Sequence, residues 1–253
     1  MCSSDLIVPT TWREMGAGFA GKFDAISLRY QLYVMNGFNG YDGEGILRGS
    51  DGLRKGRQKA AESYISDPNV SLKFDYYGIQ GLKVGLAGYF GPSQTRAING
   101  VDRSNTPLWI DSTQVNISMV GLDARYNKNN FVARGQLIYS AIGNTAAYNA
   151  FTGKDLGSNM FGYYLESGYN VLGLFNDQTE QKIVPFIRYE VYNTHQAVAG
   201  DITVNEAYNR TDITTGVGYW LSRGAVIKAD YQFMTNQAGD KKHMLNCGVG
   251  VWF

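Results

Sequence analysis

The stretch Ala225-Val-Ile-Lys-Ala-Asp-Tyr-Gln-Phe-Met234 alternates apolar and polar side chains with a period of two. Ile227, Ala229 and Tyr231 share one face of an extended chain, whereas Lys228 and Asp230 share the other. Since successive side chains of a β-strand point to opposite sides, the pattern predicts a strand with one apolar and one charged face. The stretch has ten residues, and a tilted strand that crosses a bilayer needs about 9–11.

The same alternation recurs along the chain and predicts eleven strands. They are Met15–Phe23, Ile26–Met35, Val70–Tyr77, Leu82–Phe90, Asn116–Tyr126, Phe131–Ser140, Phe161–Val171, Val184–Thr194, Asp212–Leu221, Ala225–Met234 and His243–Phe253. Most of them exceed the length of about 5–6 residues that is usual for strands of globular proteins. In the fifth strand, Ile117 and Met119 are out of phase with the residues from Val120 onward. This change of phase predicts a β-bulge or a later strand start.

The two faces of these strands differ in charge. Ten strands have one face without a charged residue, and aromatic side chains such as Phe90, Tyr126 and Phe131 recur near its ends. A transmembrane barrel turns such a face to lipid and its polar face to a lumen, whereas a soluble sandwich buries its apolar face. The other face carries the predicted pore-lining residues. They are Arg29, Lys73, Asp75, Lys83, Asp123, Arg125, Arg134, Glu166, Arg188, Glu190, Lys228 and Asp230.

The connections between the predicted strands alternate short and long, as in outer-membrane barrels with short periplasmic turns and long outer loops. The long connection 36–69 has five basic residues and five acidic residues. Folded into the lumen, it would constrict the pore, and its cations would favour anions. The alternative is a solvated surface loop of mixed charge. The candidate constriction residues are Arg48, Arg54, Lys55, Arg57 and Lys59.

Composition excludes several classes of protein. The net charge is +1 over 253 residues, whereas a non-specific nucleic-acid binder carries a basic excess, so we expect no nucleic-acid partner. The uninterrupted apolar runs are far shorter than the ~18 residues of a transmembrane helix. Cys2 and Cys247 stand at opposite ends of the chain without the Cys/His spacing of a zinc site, so we expect no metal and no cofactor.

Few residues suggest catalysis, and we expect no enzymatic activity. The histidines are His195, in a predicted outer loop, and His243, at a strand start. The segment 16–21 matches G-x-G-x-x-G but lacks the following helix of a dinucleotide site. Glu166 and Glu190 stand among lumen cations, which favours an ion-pair network over an acid–base pair. Three alternatives stay open, namely a structural or adhesive barrel, a barrel hydrolase with a Ser/His pair near one histidine, and a soluble carbohydrate-binding β-protein.

The C-terminal stretch Leu245-Asn-Cys-Gly-Val-Gly-Val-Trp-Phe253 resembles the last strand of bacterial outer-membrane proteins, which alternates apolar residues and stops at an aromatic residue. The resemblance implies that the barrel-assembly machinery recognises Val249, Val251 and Phe253. The stretches 228–232, 185–190 and 8–18 resemble the C-terminal half of the phosphate-selective porin O and P group. This resemblance implies a channel in the bacterial outer membrane for small anions or other hydrophilic solutes. We also expect contact with outer-membrane lipid and consider a homotrimer.

The strand count carries an expectation about the rest of the protein. Bacterial single-chain barrels have an even number of strands and both termini on the periplasmic side, whereas eleven strands are predicted here. The chain also starts without the basic and apolar segments of a signal peptide. We therefore expect the C-terminal portion of a barrel of about 16–18 strands, preceded by a signal peptide and an odd number of strands. Residues 1–14 would be a non-native or outer-loop lead-in, and residues 15–253 a single porin-like domain.

Overall fold

A computed structural model describes residues 7–9, 12–59, 62–98, 107–176 and 179–252. The described strands are β1 (Gly16–Phe23), β2 (Leu28–Met35), β3 (Asn39–Tyr41), β4 (Asn69–Ile79), β5 (Leu82–Pro92), β6 (Gln94–Thr95), β7 (Asn116–Lys128), β8 (Phe131–Gly143), β9 (Asn159–Tyr169), β10 (Lys182–Ala197), β11 (Asn209–Ser222), β12 (Ala225–Asn236) and β13 (Lys241–Val251). Helix α1 (Thr145–Thr152) and several short 3-10 turns complete these elements. No helix in the described ranges is long and apolar enough to cross a membrane.

Eleven of these strands form one antiparallel sheet, in the order β1-β2-β4-β5-β7-β8-β9-β10-β11-β12-β13. Each strand pairs with the next of the set along the chain, so the sheet is a meander of hairpins. β3 and β6 form a separate parallel pair. All eleven predicted strands are confirmed, with ends that differ by a few residues. The second strand starts at Leu28 because Asp24–Ile26 form a 3-10 turn that Ser27 closes at a φ of 51°.

The tightest hairpins have turn residues in the left-handed region. Gly81 has a φ of +82° between β4 and β5, and Asn129 has a φ of 55° between β7 and β8. Two-residue hairpins favour turns with positive φ because their twist matches that of the strands, and Gly and Asn accept this conformation most readily. The short connections therefore follow from local residue chemistry.

The predicted irregularity in the fifth strand is wrong. β7 pairs without a shift of register, with β5 from Asn116 to Tyr126 and with β8 from Asn116 to Lys128. Ile117 and Met119 point to the inner face and are only 1% and 5% exposed. The apolar phase changes along this strand because the inner face itself is apolar near the long loops, and not because the backbone is irregular.

The outer face of the sheet is apolar and exposed along its length. Representative residues are Val34, Phe74, Leu86, Leu122, Leu137, Leu165, Ile187, Ile213, Ile227, Leu245 and Val249. The inner face carries the charged side chains and is partly covered by the long loops. This arrangement is the reverse of a soluble sandwich, in which two sheets would bury their apolar faces against each other. The exposed band matches the lipid-facing surface of a membrane barrel.

The hydrophobic core lies on the inner face, at the end of the sheet that bears the long loops. The loop 36–68 contributes Phe38, Leu47 and Leu53, and α1 contributes Tyr148. The preceding segment adds Ile7, which is buried, and Trp12, whose ring stacks on Phe38 with centroids 4.4 Å apart. The long loop therefore folds back onto the wall. The wall residues of this core are Tyr89, Val115, Ile117, Met119, Ile138, Ile142, Met160 and Tyr192.

A charge on the outer face should destabilise the protein far more than a charge on the inner face. Leu165 is 62% exposed at mid-strand on the outer side, and Leu165→Arg should cost about 2–4 kcal/mol in a bilayer. The matched variant Gln136→Arg, on the inner side of the neighbouring β8, should cost much less. Denaturant unfolding in liposomes measures both values. Equal losses for the two variants would contradict a lipid-facing outer side.

Candidate pore wall and inner cavity

The predicted charged residues lie on the inner face, between the apolar core and the short turns. A first group spans β4, β5 and β7. Lys83 Nζ is 3.0 Å from the buried Asp75, and Lys73 Nζ is 2.9 Å from Asp123 and 3.6 Å from Asp75. Gly85 makes room for this group, since a Cβ there would lie 2.5 Å from an Asp123 oxygen. The four charges thus form a compact, neutral network.

A second group spans β8, β9 and β10. Arg134 donates two hydrogen bonds to Glu166, of 2.8 Å and 2.9 Å, in the paired geometry that a guanidinium and a carboxylate prefer. Arg188 lies 3.7 Å from Glu166 and 3.2 Å from Glu190. The Arg188 guanidinium also stacks 3.8 Å from the centroid of the Tyr164 ring. Arg188 and Glu190 are buried, so these contacts hold both charges rigidly against the wall.

Arg125 stands between the two groups. In the β7 register it is directly opposite Lys83 on one side and Arg134 on the other. Three cations therefore form a row across three strands near the short turns. Within the described residues, Arg125 has no carboxylate at ion-pair distance, so this row has an excess of positive charge. Arg29, on β2, is opposite Asp75.

The remaining predicted wall residues lie on β12, outside the two ion-pair groups. Lys228 Nζ is 5.5 Å from the centroid of the Trp220 ring. Asp230 accepts a 2.7 Å hydrogen bond from Asn246. The structure therefore places ten of the twelve predicted positions on strands β2 to β10, and the pair on β12 lines the same cavity as the second group.

The candidate constriction residues lie on a loop that packs onto the inner face, and Arg48 and Lys59 form local ion pairs. Arg48 contacts Asp51, and Lys59 Nζ is 3.5 Å from Glu62. Arg54 and Lys55 form a 3-10 turn, and Arg57 Nε donates a 3.0 Å hydrogen bond to the Arg54 carbonyl. Lys55, Arg48 and Lys59 are exposed. The role of the five residues in constriction stays a prediction.

Polar contacts that the sequence did not reveal fasten this loop to the wall. The buried Tyr148 hydroxyl donates a 2.7 Å hydrogen bond to the Gly40 carbonyl and accepts one of 3.0 Å from the Leu47 amide. Burial raises the pKa of Tyr148 to about 12, so its hydroxyl keeps its proton. The Asp155 carboxylate accepts 3.0 Å hydrogen bonds from the Gly49 amide and the Tyr208 hydroxyl.

In the described structure, the hydrogen bonds of the two histidines go to groups other than serine. His195 is buried, with one ring nitrogen against the Asp155 carbonyl and the other accepting a 3.3 Å hydrogen bond from the Asn205 amide. His243 contacts the Tyr231 hydroxyl on the outer face. The described ranges also hold no group of three or more His, Cys, Asp or Glu residues that could bind a metal ion.

A cavity of about 860 Å³ occupies the inner face of β8 to β13, near the short turns. Its lining combines the second charged group with aromatic residues that include Phe186, Trp220 and Trp252. Lys182 also lines it and was missed by sequence reasoning, because the predicted strand starts at Val184. Extending the period-two alternation of this strand by one inward position, from Val184 to Lys182, would have identified this residue. The predicted assembly signal lies at the end of β13. Val249 and Val251 are exposed there, and Phe253 lies outside the described residues.

Removal of one buried hydroxyl should release the inner loop. Tyr148→Phe leaves the Gly40 carbonyl and the Leu47 amide without their partner, at a cost of about 1–3 kcal/mol. We expect faster trypsin cleavage after Arg48, Arg54 or Lys55 in the variant. The control Tyr169→Phe, on the outer face, should leave the cleavage rate unchanged. An unchanged rate in Tyr148→Phe would show that apolar packing alone holds the loop.

The segment before β1 should bind less firmly as the pH rises. Burial raises the pKa of Glu14 to about 7, against a hydrogen bond from the Trp12 indole that lowers it. Because the folded state favours the protonated carboxyl, protonation of Glu14 stabilises this segment. This stabilisation is complete below the ordinary pKa near 4.5 and is lost as the pH rises through about 7. The protection of the amides of residues 12–15 against hydrogen exchange, relative to the intrinsic rate at each pH, should fall between pH 6 and 8. Glu14→Gln should abolish this dependence, and a variant that keeps it would exclude Glu14 as the cause.

No protein-family model matches the chain. A protein of Aquifex aeolicus (strain VF5), described as uncharacterized, is 27% identical over 228 residues, which are 89% of this chain and 49% of that protein. The chain therefore spans about half the length of the curated relative that it matches.

Solved structures resemble the fold at low sequence identity. A porin refined at 1.8 Å resolution matches with a TM-score of 0.50 and 10% identity, over 95% of this chain and 62% of that one. The β domain of the Bordetella autotransporter BrkA matches with a TM-score of 0.35 and 11% identity, over 95% and 89% of the two chains. At such identities the porin match speaks to the fold alone. Together with the eleven-stranded antiparallel sheet, it shows that the chain has the fold of an outer-membrane β-barrel.

Proposed function

We propose that the chain forms the wall of a water-filled channel in a bacterial outer membrane, through which small hydrophilic solutes diffuse passively. One observation carries this proposal: the strands that expose an apolar outer face also carry charged side chains on the inner face, where they line a cavity of about 860 Å³. An apolar exterior suits lipid, and a charged interior suits water and ions. No covalent chemistry is needed, so the proposal assigns no catalytic residue and no cofactor.

The charges on the wall support a preference for anions. The predicted positions comprise seven basic and five acidic residues, and each of the acidic groups Asp75, Asp123 and Glu166 has a cation within 4 Å. The row Lys83–Arg125–Arg134 is in excess over its carboxylate partners. A cleft with low-dielectric walls focuses the field of such charges and raises the local concentration of anions. Small anions are among the solutes that the resemblance to the phosphate-selective group implies.

The inner loop supports a narrowed channel. Its apolar side chains Phe38, Leu47 and Leu53 pack against the wall, so the loop takes up space on the inner side of the sheet. The exposed Arg48 and Lys55 then stand near the entrance from the long-loop side. In this proposal, the loop sets the size of the solute, and the charged groups below it set the sign of its charge.

The surroundings of the barrel complete the proposal. Outer-membrane lipid would cover the apolar band, and the barrel-assembly machinery would recognise β13 through Val249, Val251 and the terminal Phe253. A homotrimer remains part of the proposal, as for the porins that the sequence resembles. The outer membrane is the compartment in which this fold would carry out such a function.

Electrical recording tests the channel and its selectivity together. Purified protein reconstituted in a planar bilayer should give single-channel steps, and the reversal potential in a salt gradient should indicate anion preference. Arg125→Glu should shift this potential toward cations, because it reverses one charge in the cation row. The control Lys128→Glu makes the same change at the rim on the outer side and should have little effect. Absence of steps would remove the channel proposal in favour of a structural or adhesive barrel.

A further inference from the structure

An indole ring packs over a glycine on the inner wall beside the short turns. Trp220, on β11, covers Gly218, the preceding inward residue of the same strand. A Cβ at position 218 would lie 2.5 Å from Cζ3 and 2.7 Å from Cη2 of that ring, so only glycine leaves room for it. The indole also lines the cavity, and the Lys228 ammonium lies over its ring, 5.5 Å from the centroid. A solute that contacts this ring therefore also meets the Lys228 ammonium.

Two lysines flank the ring on the adjacent strands. Lys182 is directly opposite Trp220 in the register of β10 and β11. Lys228 is opposite Gly218 in the register of β11 and β12, and its Nζ is 5.5 Å from the ring centroid. In the described chain, neither lysine has a carboxylate within 4 Å. Both ammonium groups are thus available to an anion held against the ring.

The carboxylates of the cavity are already engaged by other groups. Glu166 is paired with Arg134, and Glu190 with Arg188. Asp230, the next inward residue after Lys228, accepts a 2.7 Å hydrogen bond from Asn246. At the mouth of the cavity, Glu180 lies 3.5 Å from Arg223. The unpaired charge beside Trp220 is therefore positive, although Asp230 reduces its strength.

Apolar surface surrounds this position. Val184 and Phe186 line the cavity beside Trp220, and Gly168 opposite them leaves the space that they fill. Trp252 follows β13 on the same face and is 52% exposed. An inorganic anion would make no apolar contact with these side chains, whereas an aromatic ring with a carboxylate would contact the apolar side chains and the lysines.

We propose that this cavity binds aromatic carboxylates, with the ring of the solute stacked on Trp220 and its carboxylate near Lys228 and Lys182. Aromatic pairs gain about 0.5–1.5 kcal/mol beyond the area that they bury, and a charge-assisted contact adds to this gain. The proposal deepens the channel function by naming a class of solute, and it rests on that function for transport but not for binding. The site does not include Arg125, although Arg134 of the cation row lines the same cavity.

Calorimetric titration of the detergent-solubilised protein with four probes tests the site. Benzoate should bind about tenfold more tightly than acetate, which lacks the ring, and than benzyl alcohol, which lacks the charge. Cyclohexanecarboxylate should fall between benzoate and acetate. Equal affinity for benzoate and acetate would reduce the site to a general anion site. Equal affinity for benzoate and benzyl alcohol would reduce it to an apolar surface, and either result overturns the proposal.

Variants locate the binding. Trp220→Ala should weaken benzoate binding about tenfold, whereas Trp220→Phe, which keeps a ring, should retain most of it. Lys228→Gln should weaken benzoate but not benzyl alcohol. The matched control Trp109→Ala removes an exposed indole near the long loops and should change nothing. Unaltered benzoate affinity in both Trp220→Ala and Lys228→Gln, with native circular dichroism, would place the binding elsewhere and overturn the proposal.

The calorimetric titration tests the binding site and the bilayer recording tests the channel, so a negative result in one does not imply a negative result in the other. Single-channel steps without benzoate binding would remove this site and keep the channel. Benzoate binding without single-channel steps would keep the site as a ligand pocket of a barrel that does not conduct. If both hold, benzoate should block the current of small inorganic anions, and Trp220→Ala should relieve the block.

Discussion

The strict alternation of side chains along a β-strand is the constraint on which this structure depends. In a bilayer, every backbone amide and carbonyl must be paired within the protein, and an antiparallel sheet pairs them between strands. The side chains are then divided between two surfaces that alternate residue by residue. Because the outer surface must be apolar across the bilayer, the charges in the middle of the strands are directed to the inner surface. The modest share of charged residues, 18%, follows from this division.

The inner surface is itself divided into two halves. Near the long loops it is apolar and covered, since Ile117, Met119 and Ile138 pack against loop residues such as Leu47. Near the short turns it is charged and open, with the ion-pair groups and the cavity. The long loops therefore pack on an apolar surface that excludes water, and the charged residues face a space that is open to water. This division explains how one sheet supports both a fixed inner loop and an accessible polar wall.

Prediction from sequence succeeded where the chemistry is local. The alternation around Lys228 and Asp230 was enough to assign faces, and the alternation of short and long connections was enough to predict the hairpins. The same logic assigned Arg134, Glu166 and Arg188 to one surface, but it did not predict which of them form ion pairs with each other. Their pairing depends on strand register, which brings together residues 32 positions apart in sequence, as for Arg134 and Glu166. The extension of β10 to Lys182 was missed because the strand continues beyond its most apolar part.

The features that decide the candidate site come from contacts between distant segments. Tyr148, on an unpredicted helix, holds the inner loop through the Gly40 carbonyl, 108 residues away. No periodicity signals such a bond, since the phenol and the carbonyl are each ordinary in their own surroundings. By itself, the sequence determined which side chains can face lipid and which must face inward, because alternation is a property of each strand alone. Only the tertiary structure decided which charges neutralise one another, which indole lies open beside two lysines, and where the loop rests, because these depend on register and on the space that neighbouring glycines leave.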